Sequence, residues 1–133
     1  MPNRLPVVSR GDVLHVDVPG RGRHLGIAID VDLGGDVVFA VATSGDWRNE
    51  PLRRVINFSA EPARSWIREW PRDNGALSHF YGDFIYAVPP DRWLRAVGAV
   101  PRPAVAALLD LYREWSARRR GAPVPRGPTS IPP

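Results

Sequence analysis

Two short clusters of chemically useful side chains stand out: Arg21, Arg23 and His24 within RGRHL, and Thr43 and Ser44 within VATSGDW. A guanidinium offers paired donors to the non-bridging oxygens of a phosphate, and a hydroxyl adds one more. An imidazole can move a proton near neutral pH. These are the parts of a phosphate site, provided the chain brings the clusters together. The residues between them supply the means. Leu25 to Asp32 alternates, with Leu25, Ile27, Ile29 and Val31 on one face, and Val37 to Thr43 alternates likewise. Gly34-Gly35 lies between them and marks a hairpin turn, because glycine tolerates positive φ.

The hairpin register decides which residues meet. A two-residue Gly34-Gly35 loop would oppose Phe39 to Asp30. A three-residue loop, Gly34 to Asp36, pairs Val31 with Phe39 and Ile29 with Val41, so the apolar faces coincide and this register is preferred. Continued, it pairs Ile27 with Thr43, Gly26 with Ser44 and His24 with Asp46, and sets Arg23 beside Trp47. In either register Arg23, His24, Thr43 and Ser44 share one end of the hairpin. Arg21, Arg48, Arg53 and Arg54 flank it and extend its positive field. Trp47, just after the Thr-Ser-Gly turn, is a candidate for base stacking. The plain alternative is a polar rim in which Arg23 and Asp46 form an ordinary surface pair. A Ser44–His24–Asp46 hydrolase triad is disfavoured, because no nucleophile-elbow glycine pattern surrounds Ser44.

The rest of the chain must hold this hairpin. GDVLHVDV, residues 11 to 18, reads as a strand ended by Pro19-Gly20. Arg53 to Phe58 reads as another. A short helix is expected over Ser59 to Trp70, capped by Ser59, with Pro62 in its first turn and Pro71 stopping it. Its stripe of Trp66, Ile67 and Trp70 suits packing onto the sheet better than base stacking. Leu77 to Val88 reads as one long strand with Gly82 at a bulge, and Ala96 to Val100 as a short one. Pro101 to Ala117 is the clearest helix, striped by Val105, Leu108, Leu109, Tyr112 and Trp115, with Glu114 and Arg118 spaced for an ion pair. His15 and His79 lack metal-ligand spacing and read as structural. The expected class is mainly β with a C-terminal helix: a small, strongly curved barrel or half-barrel with the helix over one side.

The chain's 133 residues suit one domain. Hydrophobic residues make up 44% and charged residues 24%, as in globular proteins. There is no candidate membrane span and no secretory h-region, so a cytoplasmic location is expected. The absence of cysteine excludes disulfides, thiolate metal sites and a Cys nucleophile. The net charge of +4 is misleading. Residues 118–133 carry Arg118, Arg119, Arg120 and Arg126 without an acid, which leaves 14 Arg against 14 Asp and Glu in residues 1–117. Any nucleic-acid site must therefore come from local clustering. The folded domain is expected over 1–117, with 118–133 a disordered Pro- and Arg-rich tail.

The ordered set GDVLHVDV, a basic turn, HLGIAIDVD, VVFAVATS, DFIYAVPPDRWLRAVGAV and a closing helix resembles the PemK/MazF toxins of type II toxin–antitoxin systems. The resemblance covers most of residues 10 to 117, with 45 to 76 diverging. It implies an SH3-like β-barrel, usually a homodimer, that acts as a sequence-specific endoribonuclease. Such an mRNA interferase cleaves single-stranded RNA by 2′-OH attack without metal or cofactor, and its cognate antitoxin blocks the groove. Thr43, followed by Ser44, stands where the family carries its Thr. Ungapped alignment puts His24 at the position of the family Arg, whereas strand parity puts Arg23 on the Thr43 face, so either is the candidate basic group. Asp83 and Tyr86 fall in the family's later RNA-contacting segment. Leu25 replaces the family Pro, and Phe84 and Tyr86 replace its Gln and Arg. These departures support an alternative: a barrel with degraded catalysis that binds nucleic acid or protein.

Overall fold

The computed structural model describes residues 7–32, 34–43, 52–68 and 77–121. Seven strands and one long helix follow in order: β1 (Asp12–Val18), β2 (Gly22–Val31), β3 (Val37–Val41), β4 (Arg53–Ile56), β5 (Ser78–Tyr81), β6 (Ile85–Val88), β7 (Trp93–Ala99) and α1 (Arg102–Gly121). β6, β3, β2, β1 and β7 form a five-stranded antiparallel sheet in that spatial order, and β4 pairs with β5. Among the described residues no pairing joins β6 to β7, so the sheet is open. The class is mainly β with one C-terminal helix.

Both faces of the five-stranded sheet are buried. One carries Val13, Leu25, Ile27, Ile29, Val38, Ala40 and Val97 and packs against Val105, Leu108 and Leu111 of α1. The other carries Leu14, Val16, Val18, Ala28, Phe39 and Val41, with Tyr81, Phe84 and Val88. That second face is concave. The sheet curls until β1 approaches β6, although β2 and β3 lie between them.

Burial on two sides explains why the hairpin register departs from expectation. Where every residue of a strand is covered, matching one apolar face constrains nothing. Local turn chemistry decides instead. The Asp32 carboxylate accepts hydrogen bonds from the amides of Gly34, 2.9 Å, and Asp36, 3.0 Å. The Asp32 amide donates to the Asp36 carbonyl, 2.8 Å. The loop therefore lies between Asp32 and Asp36, with Gly35 at φ +93°. Val31 pairs with Val37, and a bulge between Ala28 and Asp30 then sets Ala28 against Phe39 and Gly26 against Val41. The expected pairing of Val31 with Phe39 and Ile29 with Val41 is replaced.

Three further expectations change. The helix over Ser59 to Trp70 is a single 3₁₀ turn, Ala63–Ser65, preceded by a cis Glu61–Pro62 bond. Trp66 nevertheless packs edge-on against Phe58 and Ile67 is buried in the core, as the stripe suggested, while Trp70 lies outside the described residues. The segment Leu77 to Val88 breaks at Gly82 into β5 and β6, which take successive stretches of the same edge of β3. The last strand starts earlier than expected, at Trp93, and α1 continues past Ala117 to Gly121. Arg118 is a good helix former, and its charge suits the helix C-terminus. Glu114 lies 3.8 Å from Arg54 of β4.

Candidate functional site: a cationic and imidazole-bearing row on the concave face

The corrected register rearranges the hairpin end. The Ala42 amide donates to the Leu25 carbonyl, 2.8 Å, which closes the Gly26–Val41 pair where the β2–β3 ladder ends. His24 and Thr43 each lie two residues beyond that last pair and so share its face by alternation. On the other side His24 pairs with Val16 of β1, which is fully buried in the concave cluster. His24 therefore belongs to the concave face. Arg23 pairs with Asp17 and lies on the opposite face by parity, where it is exposed. The expectation that Arg23 shares the Thr43 face is corrected. His24 lies on that face instead.

The surroundings of His24 shape its chemistry. Its ring is tilted against Phe84 with centroids 5.5 Å apart. The Arg21 guanidinium carbon sits 5.3 Å from the centre of the same Phe84 ring, a cation–π geometry. Tyr86 meets Phe84 edge-on at 5.5 Å. Nδ1 of His24 is 3.1 Å from the Arg23 carbonyl. A carbonyl can only accept, so this bond holds the proton on Nδ1 and leaves the Nε2 lone pair for proton transfer. Burial, and secondarily the positive charge of Arg21, lowers the His24 pKa below its ordinary value of 6.5. The folded environment thus favours the neutral imidazole.

Thr43 is half-buried and exchanges both backbone hydrogen bonds with His79: its amide donates to the His79 carbonyl at 3.0 Å and its carbonyl accepts at 2.8 Å. Such a pair shares a face, so His24, Thr43 and His79 form one row across β2, the end of β3 and β5. His79 stacks flat on Tyr81, with centroids 6.1 Å apart and 10° between planes. His79 is buried, 7% exposed, in keeping with its reading as structural; its place beside Thr43 was not legible, because only the pairing with β5, distant in sequence, brings it here. The signal available was its alternation with Tyr81.

Of the other expected residues, Arg21, Asp83 and Tyr86 gather around this row. Arg21 and Tyr86 flank Phe84, and Asp83 occupies the β5–β6 turn with one carboxylate oxygen shielded from solvent. Arg53 opposes Tyr81 and so faces the same side, whereas Arg54 opposes Phe80 and turns toward α1. Ser44, Trp47 and Arg48 lie outside the described residues, as does Asp46. Among the described residues no three His, Asp or Glu side chains converge as a metal-ligand set. Among the described residues no helix is long and apolar enough to cross a membrane.

Neither a protein-family model nor a curated protein matches the chain.

Proposed function

We propose that the protein is a metal-independent, sequence-specific endoribonuclease of single-stranded RNA, working as an mRNA interferase toxin on a PemK/MazF-like, SH3-type curled barrel. The observation that carries this reading is the placement of His24 and Thr43 on one face just beyond the end of the β2–β3 ladder, with Arg21 and His24 both against Phe84. His24 Nε2 removes the proton of a ribose 2′-OH, which attacks the adjacent phosphorus. The Thr43 hydroxyl donates to a non-bridging oxygen as charge develops, and Arg21 supplies positive field. Asp83 and Tyr86 border it on the β6 side, and Ser44, Trp47 and Arg48, which follow Thr43 in the sequence, are the further RNA-contacting residues of the proposal. A cognate antitoxin covering the concave face, and a homodimer, complete the proposal.

A second reading is favoured by one specific observation. Tyr86 and Arg21, which cover the buried Phe84, form an aromatic and cationic surface that suits base stacking without any reaction, as in a nucleic-acid-binding module. Controlled induction in cells separates the two. The nuclease arrests growth and degrades messenger RNA, and Thr43→Ala relieves both. Continued growth with intact RNA at equal protein level contradicts the nuclease and leaves the binding module.

A further inference from the structure

On the α1 side of β4 the packing leaves an open cleft of about 300 Å³, at the lower end of the range for small-molecule sites. Its walls come from β4, the stretch that follows it and the first half of α1. Ala63, Ala104 and Ala107 stand where larger side chains would close the gap, and Trp66 and Leu108 add apolar surface. All but Ala107 belong to the cluster under α1 and none to the concave one. Well-packed proteins hold few voids of this size, so the space forfeits contacts that a guest would restore. Arg54 lines the same cleft. Its guanidinium donates to the Arg53 carbonyl at 3.1 Å, and Glu114 lies 3.8 Å away, beyond hydrogen-bond distance. Most of its five N–H donors are thus open to an acceptor of better reach. The other charge in the lining, Glu61, is exposed and faces Arg64 at 3.7 Å.

We infer that this cleft is a binding site for a small apolar carboxylic acid. An aromatic or branched body lies against Trp66, Leu108 and the alanines, and the carboxylate sits on Arg54 in place of Glu114. A guanidinium meets a carboxylate with two parallel donors, and the apolar walls strengthen that pair by excluding water. A neutral guest of the same shape fills the walls but leaves Arg54 unmatched. Glu114, half exposed on α1, is free to swing into solvent when displaced. The site is separate from the concave face and independent of the ribonuclease reading.

Two probes alike in shape and different in charge isolate the role of Arg54. Indole-3-acetate and indole-3-acetamide are titrated into the intact protein by calorimetry, and NMR shifts of the backbone amides locate the site. The acid is expected to bind with a Kd between about 10 µM and 1 mM, at least about tenfold more tightly than the amide. The shifts are expected at Ala63, Trp66, Ala104 and Ala107. Arg54→Gln should weaken the acid to the affinity of the amide and leave the amide unchanged. Glu114→Gln removes the rival carboxylate and should tighten the acid about two- to fivefold. Ala107→Leu fills the cleft with a good helix former and should abolish binding of both probes. Equal affinity for acid and amide overturns the inference, as do shifts confined to other residues, or no binding of either probe at about 10 mM. The comparison of the two probes uses the wild-type protein and needs no variant to fold. None of these outcomes depends on whether the protein cuts RNA.

Discussion

At the scale of single residues, the account turns on which face His24 occupies and which nitrogen it offers. The Nδ1 contact to the Arg23 carbonyl, burial and Arg21 all favour a neutral ring with its lone pair on Nε2. In proton NMR the His24 imidazole is expected to titrate below 6.5. Arg21→Gln should raise the midpoint, but not fully to the ordinary value, because burial is the larger cause. A midpoint at or above 6.5 contradicts this environment. Stability follows the same sign. The folded state disfavours the protonated ring, so the His24 contribution is present above pH 6.5 and is lost as pH falls below it. Denaturant melts of wild type and His24→Asn should therefore converge on acidification below that pH. The basic and hydroxyl candidates were legible from residue type alone. The choice between Arg23 and His24 was not, because it depends on a one-residue parity that only the register fixes.

At the scale of elements, the strands were legible wherever alternation met a turn signal: β1 ends at Pro19-Gly20, and the β2–β3 hairpin bends at its glycines. The pairing within that hairpin was hidden, because β2 and β3 are apolar on both faces and slide freely against each other in any pattern argument. Asp32 fixes them. Asp32→Ala removes two hydrogen bonds, from Gly34 and Asp36, and should cost about 1–2 kcal/mol in denaturant melts; no loss would mean the carboxylate does not hold the turn. The break between β5 and β6 was equally hidden, since its cause is distant in sequence. A Cβ on Gly82 would lie 2.7 Å from the Cβ and ring of Trp115, so the turn must pass flush under α1. Gly82→Ala should destabilise by about 1–3 kcal/mol through overpacking, and a neutral melt would place Trp115 elsewhere. The helix expected at Ser59 is absent because backbone contacts such as the Arg68 amide to the Val97 carbonyl, 2.9 Å, tie this stretch to β7.

At the scale of the whole molecule, the chain buries two apolar clusters on opposite faces of one curled sheet, and α1 closes only one of them. The C-terminal helix was read correctly as a cover, from the spacing of Val105, Leu108 and Tyr112, although fully buried Leu111 was missed because it lies beside that stripe. Leu108, with no exposed surface, anchors the helix; Leu108→Ala should cost about 2–5 kcal/mol and lower Tm accordingly, without altering the concave face. The second cluster carries the candidate chemistry along its rim. His24 and Thr43 reach that rim from β2 and the segment after β3, at the hairpin end where the sequence placed them, and His79 joins Thr43 from β5 beneath it. Incubating purified protein with a long RNA in excess EDTA, and mapping the new 5′ ends by primer extension, tests the central claim most directly. Discrete cuts at a recurring short motif, lost in His24→Ala and in Thr43→Ala, are predicted. Intact RNA, or cuts that persist unchanged in both variants, would contradict it.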